Sequence, residues 1–195
     1  VEAEKEELLN TTLQIKEAQV NRGKELGEGA FGKVYAGKFK GIPVAIKTYS
    51  GNESELEEAK SAFEQEIAIM SNLKHPNIVS LIAQTTDTPV PWLVMEHMDG
   101  GTLKSKLSKK EVKDNGKLPY FARYDIALDI IRALRHVHCG DATSKNKGIH
   151  RDLKSENVLL SSRPDGFYEA KLADFGLSVL QKEVTSFGTV VEAGG

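Results

Sequence analysis

The segment Gly27-Glu28-Gly29-Ala30-Phe31-Gly32-Lys33-Val34 carries glycines in a G-x-G-x-x-G spacing with a valine two residues further on. Missing side chains let backbone N–H groups approach phosphate oxygens, so this spacing could cradle a phosphate. Turn glycines in a hairpin are an equally good reading of the same residues, and a dinucleotide fingerprint is a third. The third fails locally: a dinucleotide site needs a helix to start at its last glycine, whereas Val34-Tyr35-Ala36-Gly37-Lys38-Phe39 contains a glycine and alternates like a strand. Lys47 closes the run Val44-Ala45-Ile46-Lys47, in which alternation puts Val44 and Ile46 on one face and Ala45 and Lys47 on the other. A strand lysine usually lays its stem on apolar surface and keeps its ammonium in water. Glu66 alters that balance. It lies three residues after Phe63 and four before Met70, on the apolar stripe of a helix, where an unpaired carboxylate costs several kcal/mol. Lys47 is the cation best suited to pair with it. Further on, His150-Arg151-Asp152-Leu153-Lys154-Ser155-Glu156-Asn157 sets a carboxylate five residues before an amide, and Asp174-Phe175-Gly176 adds a second acid. His136 and His138 are two apart, wrong for one helical face, which argues against a zinc site.

These residues need elements to hold them. From Gly23 to Thr48 the apolar spacing shortens towards two and is broken by glycines, which predicts three short antiparallel strands. Ser54 and Glu57 have capping-box spacing, and Leu56, Ala59, Phe63, Ile67, Met70 and Leu73 recur at threes and fours, predicting a helix that ends before His75-Pro76. Asn77–Thr85 and Pro91–Met98 read as two more strands, and Asp99-Gly100-Gly101 breaks the pattern. A weak helix near Leu103 and a strong one from Tyr120 to Cys139 follow. The stripe of the strong helix is Ile126, Ala127, Ile130, Ile131, Leu134 and Val137, with Gly140 as its cap. Val158-Leu159-Leu160 and Phe167–Ala173 flank the turn residues Arg163-Pro164-Asp165-Gly166, a second hairpin. Residues 1–21 are charged and weakly periodic, a short helix or a lead-in arm.

Composition narrows the function classes. The 26 basic and 28 acidic side chains leave a net charge of -2, which argues against a nucleic-acid footprint. The apolar runs fall far short of a membrane span. A single cysteine, Cys139, and the lack of a leader-like opening point to a reducing, cytoplasmic setting.

The glycine segment, strand lysine, inward helix glutamate, His-Arg-Asp loop and Asp-Phe-Gly, in that order, resemble the eukaryotic protein kinase family from about Gly23 to Thr189. The stretch from Phe63 to Leu81, with His75-Pro76-Asn77-Ile78-Val79, and that from Trp92 to Leu103 look most like the tyrosine-kinase-like group of Ser/Thr kinases. The resemblance implies an α+β kinase-like fold: an N-terminal arm over 1–21, a small lobe over 22–98 with a five-stranded antiparallel sheet and one helix, and part of a mainly helical large lobe over 99–195. It also implies ATP and Mg²⁺ as cofactors and a protein Ser/Thr hydroxyl as acceptor. Gly27, Gly29 and Gly32 would cover the phosphates, with Lys47 on the α- and β-phosphates held by Glu66. Asp174 and Asn157 would hold Mg²⁺. Asp152 would accept or orient the hydroxyl proton, and Lys154, at the Ser/Thr-type position, would steady the γ-phosphate. Val34, Ala45 and Leu159 would enclose the adenine, with Leu26 beside them, Met95 as gatekeeper, and the Glu96 and Met98 backbone as hinge. Met70, Leu81, His150 and Phe175 match the family's buried regulatory stack, so His150 reads as a core histidine. Arg151 would be a buried-side cation awaiting a phosphate on Thr185 or Ser186.

After Gly188-Thr189 the family pattern would run on to Ala-Pro-Glu and further helices, while this sequence ends at Gly195. The expectation is a truncated catalytic domain with an exposed apolar face on the Tyr120–Cys139 helix, open to a partner chain. A naturally truncated nucleotide- or partner-binding module with little catalytic activity is the alternative.

Overall fold

The computed structural model describes residues 13–29, 32–108, 112, 118–140 and 147–181. Strands β2 (Val20–Gly29), β3 (Gly32–Phe39) and β4 (Ile42–Tyr49) form the expected antiparallel meander, and β6 (Leu93–Glu96) pairs antiparallel with both β4 and β5 (Leu81–Thr85). The sheet has six strands instead of five, in the order β1-β5-β6-β4-β3-β2. The sixth is β1 (Leu13–Ile15), which runs parallel to β5 in the stretch expected to be an arm or helix. Its reason is burial. Ile15 and Val20 complete an apolar cluster with Phe39, Val44, Ile46, Ile82, Ala83 and Val94, separate from the cluster that holds the helix residues.

That helix, α1 (Leu56–Asn72), buries Ala59, Phe63, Glu66, Ile67, Ile69 and Met70. Its entry differs from the capping-box expectation. A 3₁₀ turn over Glu53–Glu55 precedes the helix and puts Glu55 at the N-cap without a side-chain cap bond. Ser54 therefore lies inside a turn, one residue too early to cap. The strand expected from Asn77 begins only at Leu81, because the preceding residues pair elsewhere: Ile78 bridges Leu172 in parallel, Val79 N–H donates to the Leu172 carbonyl (2.9 Å), and Leu172 N–H to that of Asn77 (2.9 Å).

In the second half, β7 (Gly101–Thr102) leads into α2 (Leu103–Leu107), capped by the Thr102 side chain, and α3 (Tyr120–Cys139) follows. Gly140 stops α3 with a left-handed φ of 67°, its N–H donating to the His136 carbonyl. The buried stripe is narrower than expected. Ala122, Ile126, Ala133 and Val137 are inside and Ile130 and Leu134 half-buried, whereas Ala127 and Ile131 face outward. Tyr120, Phe121, Tyr124 and Ile131 are all more than half exposed, an apolar face of the kind anticipated. The hairpin β9 (Val158–Ser162) and β10 (Tyr168–Leu172) turns at Gly166, whose φ of 81° suits glycine. β7 adds to it, and β8 (Lys147–Ile149) pairs with β11 (Val179–Gln181). No helix among the described residues is long and apolar enough to cross a membrane.

Candidate active site

Alternation on β4 aims Lys47 at the α1 face, and the α1 stripe aims Glu66 back at it. Lys47 Nζ donates to Glu66 Oε1 at 2.9 Å and to Oε2 at 2.7 Å, and to Asp174 Oδ1 at 3.2 Å. The Glu66 side chain is 4% exposed and that of Lys47 16%, so the pair is withdrawn from water. Burial pulls the Lys47 pKa down, yet the two carboxylates outweigh it and hold the ammonium above its ordinary value. The cation therefore stays charged at neutral pH, bridging the sheet, the helix and the segment after β10.

Asp152 and Asp174 come from loops flanking the β9–β10 hairpin. Lys154 Nζ donates to Asp152 Oδ2 at 2.6 Å, and Asn157 Nδ2 to the Asp152 carbonyl and to Oδ2, each at 2.9 Å. These donors, Lys154 first, hold the Asp152 carboxyl below its usual range. Arg151 and Asp174 have φ of 64°, unusual for side-chain-bearing residues and maintained by their surroundings. One such surrounding is His150, 2% exposed. It stacks on Phe175 with ring centres 4.7 Å apart, donates from Nε2 to the Ala173 carbonyl at 3.0 Å and accepts the Asp152 N–H at Nδ1. Met70, Leu81 and Phe175 are equally buried, so the expected stack is a continuous part of the core. Arg151 itself is exposed, not the buried-side cation expected. Thr185 and Ser186 lie outside the described residues.

The glycine segment is a β2–β3 hairpin in which Gly27 opposes Val34 and Gly29 opposes Gly32. The glycines differ physically. A Cβ on Gly32 would collide with the Thr48 carbonyl oxygen and lie 3.3 Å from the Phe63 ring, whereas one on Gly27 would meet nothing within 4 Å. Gly32 thus fits its hairpin to β4 and α1, and Gly27 leaves open space. Gly32→Ala is expected to cost about 1–3 kcal/mol in urea unfolding, and Gly27→Ala to stay within about 0.5 kcal/mol.

Val34 lies opposite Lys47, and Ala45 opposite Met95, in adjoining strands. Met98 and Leu159 pack half-buried against the core cluster that contains Met95, while Leu26 on β2 is 51% exposed. At Glu96, where the resemblance implies a backbone role, the N–H donates to the Ser80 carbonyl at 3.1 Å. Its side chain turns inward, with Oε1 accepting the Ser80 N–H at 2.7 Å and Oε2 accepting Lys171 Nζ at 2.8 Å. This second buried ion pair joins β6 to β10 and escaped the sequence reading.

Among the described residues no group of three or more His, Cys, Asp or Glu could cage a metal ion. A cation that keeps waters and takes one or two protein oxygens fits better, and Mg²⁺ is such an ion. Asn157 spends its amide nitrogen on Asp152, leaving its oxygen for a ligand, and the Asp174 side chain is 45% exposed. The donor set suits that hard cation. Outside the cluster, Lys104 Nζ donates to Glu156 Oε1 at 2.7 Å and holds that carboxyl down at about 2, tying α2 to the loop after Asp152.

The protein kinase domain family matches residues 20–193. A probable serine/threonine-protein kinase of Dictyostelium discoideum is 35% identical over 89% of this chain and 17% of its own length. A probable serine/threonine-protein kinase of Arabidopsis thaliana is 40% identical over 81% of this chain and 40% of its own. Chitin elicitor receptor kinase 1 of Physcomitrium patens is 35% identical over 86% and 24%. The chain thus spans less than half the length of these relatives.

Proposed function

The chain belongs to the protein kinase family, and from that premise we propose that it acts as the catalytic domain of an ATP-dependent serine/threonine protein kinase. The reaction is transfer of the ATP γ-phosphate to Ser or Thr hydroxyls of protein substrates. The observation that carries this reading is the half-buried Lys47, held at once by Glu66 and Asp174. A lysine fixed by two acids is an oriented, permanently charged donor, which is what phosphate oxygens require.

Each residue then has a task that its surroundings support. Lys47 binds the α- and β-phosphates, and Glu66 keeps it from swinging out. Gly27, Gly29 and Gly32 cover the phosphates, while Leu26, Val34, Ala45, Met95 and Leu159 form the apolar walls for the base, with Glu96 and Met98 at the hinge. Asn157 and Asp174 supply oxygens for Mg²⁺. When bound, that ion neutralises charge on the phosphates. Asp152, held acidic by Lys154, is a weak base towards a resting hydroxyl. It orients the hydroxyl and takes its proton late, as the new P–O bond forms and the hydroxyl acidifies. Lys154 lies 2.6 Å from that carboxylate, so it can meet charge on the transferring group without leaving its partner.

We further assign the protein to the cytoplasm, from its single cysteine, and assign no role to nucleic acid or membrane. The exposed apolar residues of α3 offer packing surface to a partner chain.

The test has two arms. ATP with Mg²⁺ at a hundredfold excess over Kd should stabilise the chain by about 2.7 kcal/mol, read as a rise in Tm. Radiolabel transfer to a basic carrier protein should then fall about a hundred- to ten-thousandfold in Asp152→Asn. An unchanged Tm would overturn nucleotide binding, and full turnover in Asp152→Asn would overturn the assigned chemistry.

A further inference from the structure

The imidazoles of His75, in the loop after α1, and His136, on α3, stack across the junction of the two halves with ring centres 4.9 Å apart and planes tilted by 30°. Both are half-buried, and neither takes part in the chemistry above. The His75 ring has a defined task. Its Nδ1 accepts the Asn77 N–H at 3.0 Å, so that nitrogen carries no proton and the ring is neutral. Asn77 in turn donates from its side chain to the Ala170 carbonyl at 3.1 Å, and its own carbonyl accepts the Leu172 N–H. One imidazole lone pair therefore pins the turn whose next residues join the small lobe to β10.

We propose that this histidine pair is a proton-sensitive contact between the lobes, closed while His75 is neutral and loosened when it gains a proton. Protonation at Nδ1 sets one N–H against another and puts a cation against the His136 ring. The surroundings offer little relief. From α3, His75 faces His136, Arg132 and Asp129, and from β10 it faces Lys171. Arg163 and Glu169 line the same cleft, of about 570 Å³. Asp129 is the acid whose charge favours the protonated ring, but its oxygens already accept the Ala170 N–H at 3.0 Å and Arg132 NH1 at 3.2 Å. Burial lowers the His75 pKa, with His136 and Arg132 adding to the effect. For a depressed folded-state pKa the unfolded chain binds the proton first, so the contact contributes fully above about 6.5 and is lost as pH falls through the folded value.

Residue-resolved NMR of the full chain between pH 8 and 5 tests this without an activity assay. The His75 ring should titrate with a midpoint below 6.5, and the exchange protection of the Val79 and Leu172 amides should fall several-fold through the same midpoint. His75→Asn retains a side-chain acceptor that does not titrate, and should leave that protection independent of pH. His136→Phe retains a stacked ring that takes up no proton, and should raise the His75 midpoint. A His75 midpoint at or above 6.5 would overturn the proposal. So would acid loss of protection that survives in His75→Asn, which would trace it to another group such as His150.

Discussion

Methionine in place of Lys47 is expected to abolish phosphate transfer and also to lower folding stability by about 3–5 kcal/mol, the usual cost of leaving a buried charge without its partner. Glu66 is 3% exposed and both of its oxygens face the lysine. With Lys47 gone, that carboxylate must be buried alone or take up a proton. Lys47→Met with Glu66→Leu removes the stranded charge, so urea unfolding of the double variant should recover most of the loss while transfer stays absent. This separates the two roles of the lysine. A single Lys47→Met variant as stable as the parent would mean that the pair bears no weight in the fold, and one that still transfers phosphate at the parental rate would remove the phosphate-anchor role.

The second large effect concerns a pair remote from the transferred group. Lys171→Met should cost about 3 kcal/mol, because the side chain of Glu96 is 8% exposed and among the described residues keeps only the Ser80 N–H as a donor. Combining it with Glu96→Gln keeps an acceptor for Ser80 and removes the charge, and should restore most of the stability. Chemical denaturation measures both. If the single variant shifts the midpoint no more than an exposed lysine does, the pair is solvated in solution and adds nothing to the joining of β6 and β10.

The contrast between these two pairs explains what could be read from the sequence. Lys47 and Glu66 sit in local periodic patterns, a strand alternation and a helical stripe, that predict a buried face and expose a charge on it as an anomaly. Asp152, Asn157 and Asp174 were recognisable because their spacings are short and fixed by the loops that carry them. Glu96 and Lys171 are 75 residues apart, each unremarkable in its own strand, and only the register of two sheets brings them together. β1 escaped for a related reason: Leu13-Gln14-Ile15 is too short to show a period, and its strand character comes from an edge offered by β5. The outward turn of Ala127 and Ile131 reflects what lies against α3, which no helical wheel contains. The His75 acceptor bond was hidden in the same way, since a histidine before a proline carries no mark of which neighbour its ring will serve.

The parallel bridge of Ile78 to Leu172 also bears on how the chain comes off the ribosome. Asn77 and its partner Ala170 are separated by 93 residues, which at ~5–20 residues per second is roughly five to twenty seconds of synthesis. For that interval the first sheet can form around its own hairpins, but the segment at its rim has no strand to receive it. Loop-closure cost falls on this late step, so the nascent small lobe waits with an open seam until β10 emerges, and that seam is where a chaperone would find it.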